Sequence, residues 1–227
     1  MTDIAEVPPA TSENDDERMP QGWAAGMWRL TGHSEVPGWL LLPAEVDDRD
    51  AWVQAQLAEI RTAWAEHWRD EWAEPVAALL GAALDARPDE AALAFELWPV
   101  PAPLVAQVSA SFGARPAALP DAVREGDLYP TEQLGDGVLL VREVPDPVTG
   151  ITLIGTDILF ASAEAVVLVR LEPTLPELHA MLIGQFHAFV HTLEFLGPDG
   201  TPVRGVAPEG MLAARSDADW ADSVPTR

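Results

Sequence analysis

Residues Gly137–Leu171 read GVLLVREVPDPVTGITLIGTDILFASAEAVVLVRL, and this run decides the fold. Three segments within it, Val138–Val144, Ile151–Phe160 and Ala165–Leu171, are rich in the aliphatic and β-branched residues that suit a pleated, half-buried surface. Asp146-Pro147-Val148-Thr149-Gly150 joins the first pair and Ala161–Glu164 the second. A parallel crossover needs about a dozen residues or more, so connections this short predict antiparallel neighbours in a meander.

Downstream, Pro173-Thr174-Leu175-Pro176-Glu177 opens a predicted helix from Leu175 to Phe195. Its apolar stripe is Leu178, Leu182, Phe186, Phe189 and Leu193, and Gly197-Pro198-Asp199-Gly200 stops it. Upstream, residues 114–136 read as loop, marked by Arg115-Pro116, Leu119-Pro120, Tyr129-Pro130 and Gly135-Asp136-Gly137. Two further strand-like runs, Ala91–Trp98 and Val105–Phe112, flank the proline-rich Pro99–Pro103.

The strongest helical periodicity lies earlier still. Asp47, Asp48 and Asp50 offer an N-cap and first-turn negative charge, and Val53, Leu57, Ile60, Trp64 and Trp68 follow on one stripe. Pro75 ends, kinks or restarts this helix, with a second helical piece reaching about Leu84. Before it, Gly38-Trp39-Leu40-Leu41-Leu42-Pro43 suits a short buried strand. Clustered strands and segregated helices predict an α+β fold, with an antiparallel sheet of five to six strands covered by a long N-terminal helix and a C-terminal helix.

Element order also carries a resemblance. The strand Gly38–Pro43, the meander Gly137–Leu171 and the helix Leu175–Phe195 together resemble the Mog1/PsbP-like α/β sandwich, in which helices cover an antiparallel sheet. That resemblance implies a fold and no activity, because its superfamily includes binding and assembly factors with unrelated partners.

The folded domain is expected over residues 23–204. Residues 1–22, with Pro8-Pro9 and the acidic run Glu13 to Glu17, read as a disordered acidic tail, and residues 205–227 as a flexible acidic one. A net charge of −24 and a pI near 4.2 repel phosphate backbones and anionic membranes, so neither nucleic acid nor membrane is an expected partner. Met1–Glu6 is acidic where a signal peptide carries positive charge, and no apolar run approaches the roughly 18 residues of a membrane span. A cytoplasmic protein is expected.

All 13 basic residues are arginine, and cysteine is absent. Lysine Schiff bases, phosphate-loop lysines, thiol nucleophiles and thiolate metal sites are therefore excluded. Serine has no nucleophile elbow, because Ser162 stands in Ala161-Ser162-Ala163 without flanking glycines. Asp157 lies inside a predicted strand between Thr156 and Ile158, and exposure to solvent is the expectation there.

Two constellations remain. His187 and His191 are four apart and Glu194 follows three later, so all three are expected to project from one flank of this helix, a set competent for zinc or another transition metal. Ala188 occupies the position where a metalloprotease helix carries its glutamate base, so ordinary solvated histidines are the competing reading. The second constellation is Trp64, Trp68 and Trp72, which drift about 40° per step around a helix, so at least one should reach the rim as a partner-binding platform. The predicted function is a non-enzymatic interaction or assembly accessory domain with a protein partner and no cofactor; a metal-dependent hydrolase or metal-binding protein using His187, His191 and Glu194 is the alternative.

Overall fold

A computed structural model describes residues 26–208 apart from 35, 36 and 148. The expected acidic tail 1–22, and the stretch after residue 208 that holds Met211, Leu212 and Trp220, lie outside the described residues. The chain runs β1 (Arg29–Thr31), β2 (Trp39–Leu41), α1 (Arg49–Trp64), α2 (Ala73–Ala86), β3 (Ala91–Leu97) and β4 (Ala106–Ala114). It continues through β5 (Asp127–Thr131), β6 (Gly135–Pro145), β7 (Thr152–Ala161), β8 (Ala165–Thr174), α3 (Pro176–Val190) and β9 (Glu194–Leu196).

Seven strands form one antiparallel sheet in the order β2-β3-β4-β8-β7-β6-β5, and β1 pairs with β9 in a separate two-stranded ribbon. The expected meander is its β6-β7-β8 core, extended at both ends. The fold is α+β. The loop expected around Tyr129-Pro130 is instead the edge strand β5, where a proline costs no ladder hydrogen bond on its open side.

α3 covers one face of the sheet. Leu178, Leu182, Phe186 and Phe189 pack there on Phe95, Val108, Ile158, Phe160, Val169 and Leu171. α1 and α2 cover the opposite face at the β2–β3 end, where Val53, Trp64, Val76 and Leu80 meet Leu40, Trp98 and Val105, and Ala83 meets Leu42, Ala91 and Ala94. Alternation along β3 supplies both layers, Phe95 and Leu97 to one and Ala94 and Trp98 to the other.

Two helix boundaries depart from the sequence reading. The N-terminal helix is not one long element: α1 starts where expected, with the Asp48 carboxylate accepting the Ala51 N–H at 3.0 Å, but it stops at Trp64. Ala65 takes φ +45°, and two 3-10 turns, Ala65–His67 and Asp70–Trp72, lead into α2. Pro75 is the third residue of α2, where its missing N–H would have no intrahelical partner.

α3 ends at Val190 rather than Phe195. The Thr192 hydroxyl accepts the His33 N–H at 3.0 Å and lies 2.7 Å from the Phe189 carbonyl, so the chain turns out of the helix and Glu194 enters β9. At the other end, Gly205 N–H bonds Leu134 O at 2.7 Å and Val206 N–H bonds Ala161 O at 2.8 Å, so the chain is still tied to the sheet beyond Arg204. Among the described residues, no helix is long and apolar enough to cross a membrane.

Candidate functional site

The tryptophan constellation is a folded elbow, not a helical stripe. Trp64 is buried and meets three rings at centroid distances of 5.7 Å: Trp68 tilted, and Trp72 and Trp98 edge-on. Unwinding at Ala65 is what lets Trp72 fold back on Trp64, since on a continuous helix it would stand two turns away, about 12 Å along the axis. Trp64 is thus a core residue. Trp68 and Trp72 sit half-buried at the rim with guanidinium groups stacked on them, Arg61 at 5.7 Å and Arg69 at 5.0 Å.

The histidine constellation is rearranged. His187 remains on α3, His191 is the residue that ends it, and Glu194 stands exposed in β9, so the three do not share a helix flank. Among the described residues, no group of three His, Asp or Glu side chains converges to hold a metal ion. What His187 meets is Tyr129 of β5: Nδ1 lies 2.8 Å from the hydroxyl, with the rings stacked at 5.1 Å. His191 tilts against the same ring at 5.7 Å, and His179, two turns earlier, places Nε2 2.9 Å from the Thr156 hydroxyl. Burial lowers the pKa of His187, with His191 and His179 adding to the effect, and burial pushes Tyr129 up to about 12. His187 and His179 thus hydrogen-bond α3 to the sheet, and His191 adds a ring contact at its end.

A third constellation spans the sheet on the face opposite α3. The register sets Glu96 beside Gln107, Ser109 beside Arg170, Arg170 beside Asp157, and Arg142 beside Gly155. Asp157 is buried, contrary to the expected exposure. Its Oδ1 lies 2.9 Å from Arg142 Nε, an ion pair whose angle falls short of a hydrogen bond, and its Oδ2 lies 3.6 Å from Arg170 Nε. Arg142 also donates to Glu172 at 3.3 Å. Desolvation raises the Asp157 pKa, against the opposing pull of Arg142 and Arg170.

Glu96 is the extreme case. It is fully buried beside Trp98, and neither its oxygens nor the Trp98 indole nitrogen closes a hydrogen bond. Burial raises its pKa to about 7, offset in part by the indole N–H. The sequence does hold a signal for it, because Glu96 is a charged residue inside the apolar run Ala91–Trp98, as Asp157 is inside its own. Nothing in the pattern could say that Arg142, Arg170 and Glu172 converge on Asp157, since two other strands, β6 and β8, supply them. What the arrangement offers is paired guanidinium and carboxylate groups beside apolar surface.

No family model, curated protein or solved structure matches this chain.

Proposed function

We propose that this chain is a non-enzymatic interaction domain that docks a protein partner on the half-exposed side of its sheet. One observation carries the proposal: along β8, residues alternate between buried and half-exposed from Ala165 to Glu172. The buried set packs under α3, and the other set is Val166, Leu168, Arg170 and Glu172. Leu159 of β7 and Leu140 and Arg142 of β6 continue this surface, also half-exposed. Aliphatic rows beside an arginine–carboxylate network are the composition of a docking surface, in which apolar contacts supply affinity and charges set register. Arg170 is the reader in this scheme. Among the described residues it meets only Asp157, through Nε, which leaves its terminal nitrogens for a partner's carboxylate.

Capture experiments with the full chain as bait, at low and moderate salt, test the proposal. A defined partner should be retained by the natural chain and lost at least about tenfold from L168E and from R170E, since each removes a contact of hot-spot size. Absence of any partner at both salts, or retention of the same partner by both variants, overturns it.

A further inference from the structure

A separate cavity of about 420 Å3 opens between the start of β1, the β7–β8 turn and the turn after β9. Its volume is in the range of small-molecule sites. Trp28 lines it, half-buried, with its inner face stacked on Phe195 at 5.3 Å and 19° between the rings. That stacking commits one face of the indole, and among the described residues no other ring or guanidinium stacks on it. Pro198 and Pro202 add rigid apolar walls without N–H donors.

The two carboxylates at the cavity, Glu164 and Asp199, are exposed, and neither has an ion-pair partner among the described residues. Among the described residues, no arginine or histidine lines the cavity, and the guanidinium of nearby Arg115 is held on the Ser162 carbonyl, not on either carboxylate. Both carboxylates stand on turns that are already organised. Asp199 Oδ1 accepts the Thr201 N–H at 3.0 Å and the Thr201 hydroxyl at 2.7 Å, and among the described residues nothing bonds Oδ2. Ser162 Oγ accepts the Ala165 N–H at 2.9 Å, and the Glu164 carbonyl accepts the Arg115 N–H at 2.8 Å.

We propose that this cavity binds a small organic cation, a guanidinium or ammonium group on a short alkyl stem, with the stem on Trp28 and the charge between Glu164 and Asp199. An indole face attracts cations through its quadrupole, and two unneutralised carboxylates complete the charge without any rearrangement of the turns. The chain's charge of −24 raises the local concentration of cations and opposes anionic ligands. A neutral sugar would use the same ring but would gain nothing from the carboxylates. This site is independent of the docking face on β8.

The test follows the Trp28 indole N–H signal of the full chain by NMR, assigned with W28F, during titration with argininamide, and with glucose and acetate for comparison. Argininamide should give a saturable shift, and E164Q and D199N should each weaken it about five- to tenfold. Both substitutions keep the fold, because the Glu164 side chain is exposed and the amide oxygen that D199N introduces would still accept from Thr201. No saturable shift up to about 10 mM argininamide, the weak end of specific binding, overturns the proposal. So does an equal response to glucose, or unchanged affinity in both variants.

Discussion

The Tyr129 hydroxyl stands 2.8 Å from His187 Nδ1, clasping the edge strand β5 to helix α3. Removing the hydroxyl leaves a half-buried ring nitrogen without its partner, so Y129F should cost about 1 kcal/mol in chemical denaturation. The clasp also sets a pH dependence. Burial, then His191 and His179, hold the His187 pKa below 6.5 in the folded state, so the unfolded chain takes up a proton that the folded chain resists. Stability is therefore lost as pH falls below 6.5. H187Q should flatten that acid-side decline in thermal melts, and an unchanged slope would deny His187 the role.

Glu96 titrates with the opposite consequence. Its folded pKa of about 7 lies above the ordinary glutamate value of 4.5, so the folded chain binds the extra proton and stability falls as pH rises from 4.5 through about 7. E96L removes the buried carboxyl. Its stabilising effect should be larger at about pH 8.5 than at about pH 4.5, by about 3 kcal/mol, as read from urea midpoints at the two pH values.

Arg142 and Asp157 form a pair whose members depend on each other. Asp157 is 11% exposed in its side chain and Arg142 31%, so removing either leaves a poorly solvated charge behind. R142L and D157L should each cost about 2–4 kcal/mol, and the double variant less than the sum of the two. Additive single effects in the double-mutant cycle would show that the 2.9 Å pair carries no coupling.

Two backbone positions should respond in opposite directions. Ala65 holds φ +45° at the end of α1, a conformation that favours glycine, so A65G should raise stability by about 0.5–1 kcal/mol. Gly38 holds φ +87°, and a Cβ there would run into the Trp98 carbonyl. G38A should cost about 3 kcal/mol, visible as a lowered thermal midpoint.

What could be read from residue order and what could not divide along a physical line. Alternation and helical periodicity are local, so the β6–β8 meander, an aspartate cap at the start of α1, the apolar stripe from Leu178 to Phe189 and the α+β class follow from neighbouring residues alone. The missing lysine and cysteine are equally plain, and they remove whole classes of chemistry before any fold is known. Tertiary packing decided the rest. The tryptophan spacing looks helical, yet packing Trp72 against Trp64 required the chain to unwind at Ala65. His187, His191 and Glu194 look like one flank, yet the pairing of β9 with β1 took Glu194 out of the helix, and β5 brought Tyr129 to His187. Asp157 and Glu96 show the reason most directly. Whether a carboxylate in a strand faces water or is buried depends on which strands lie beside it and what packs above, and that is set by register between segments far apart in the chain, to which no local pattern has access.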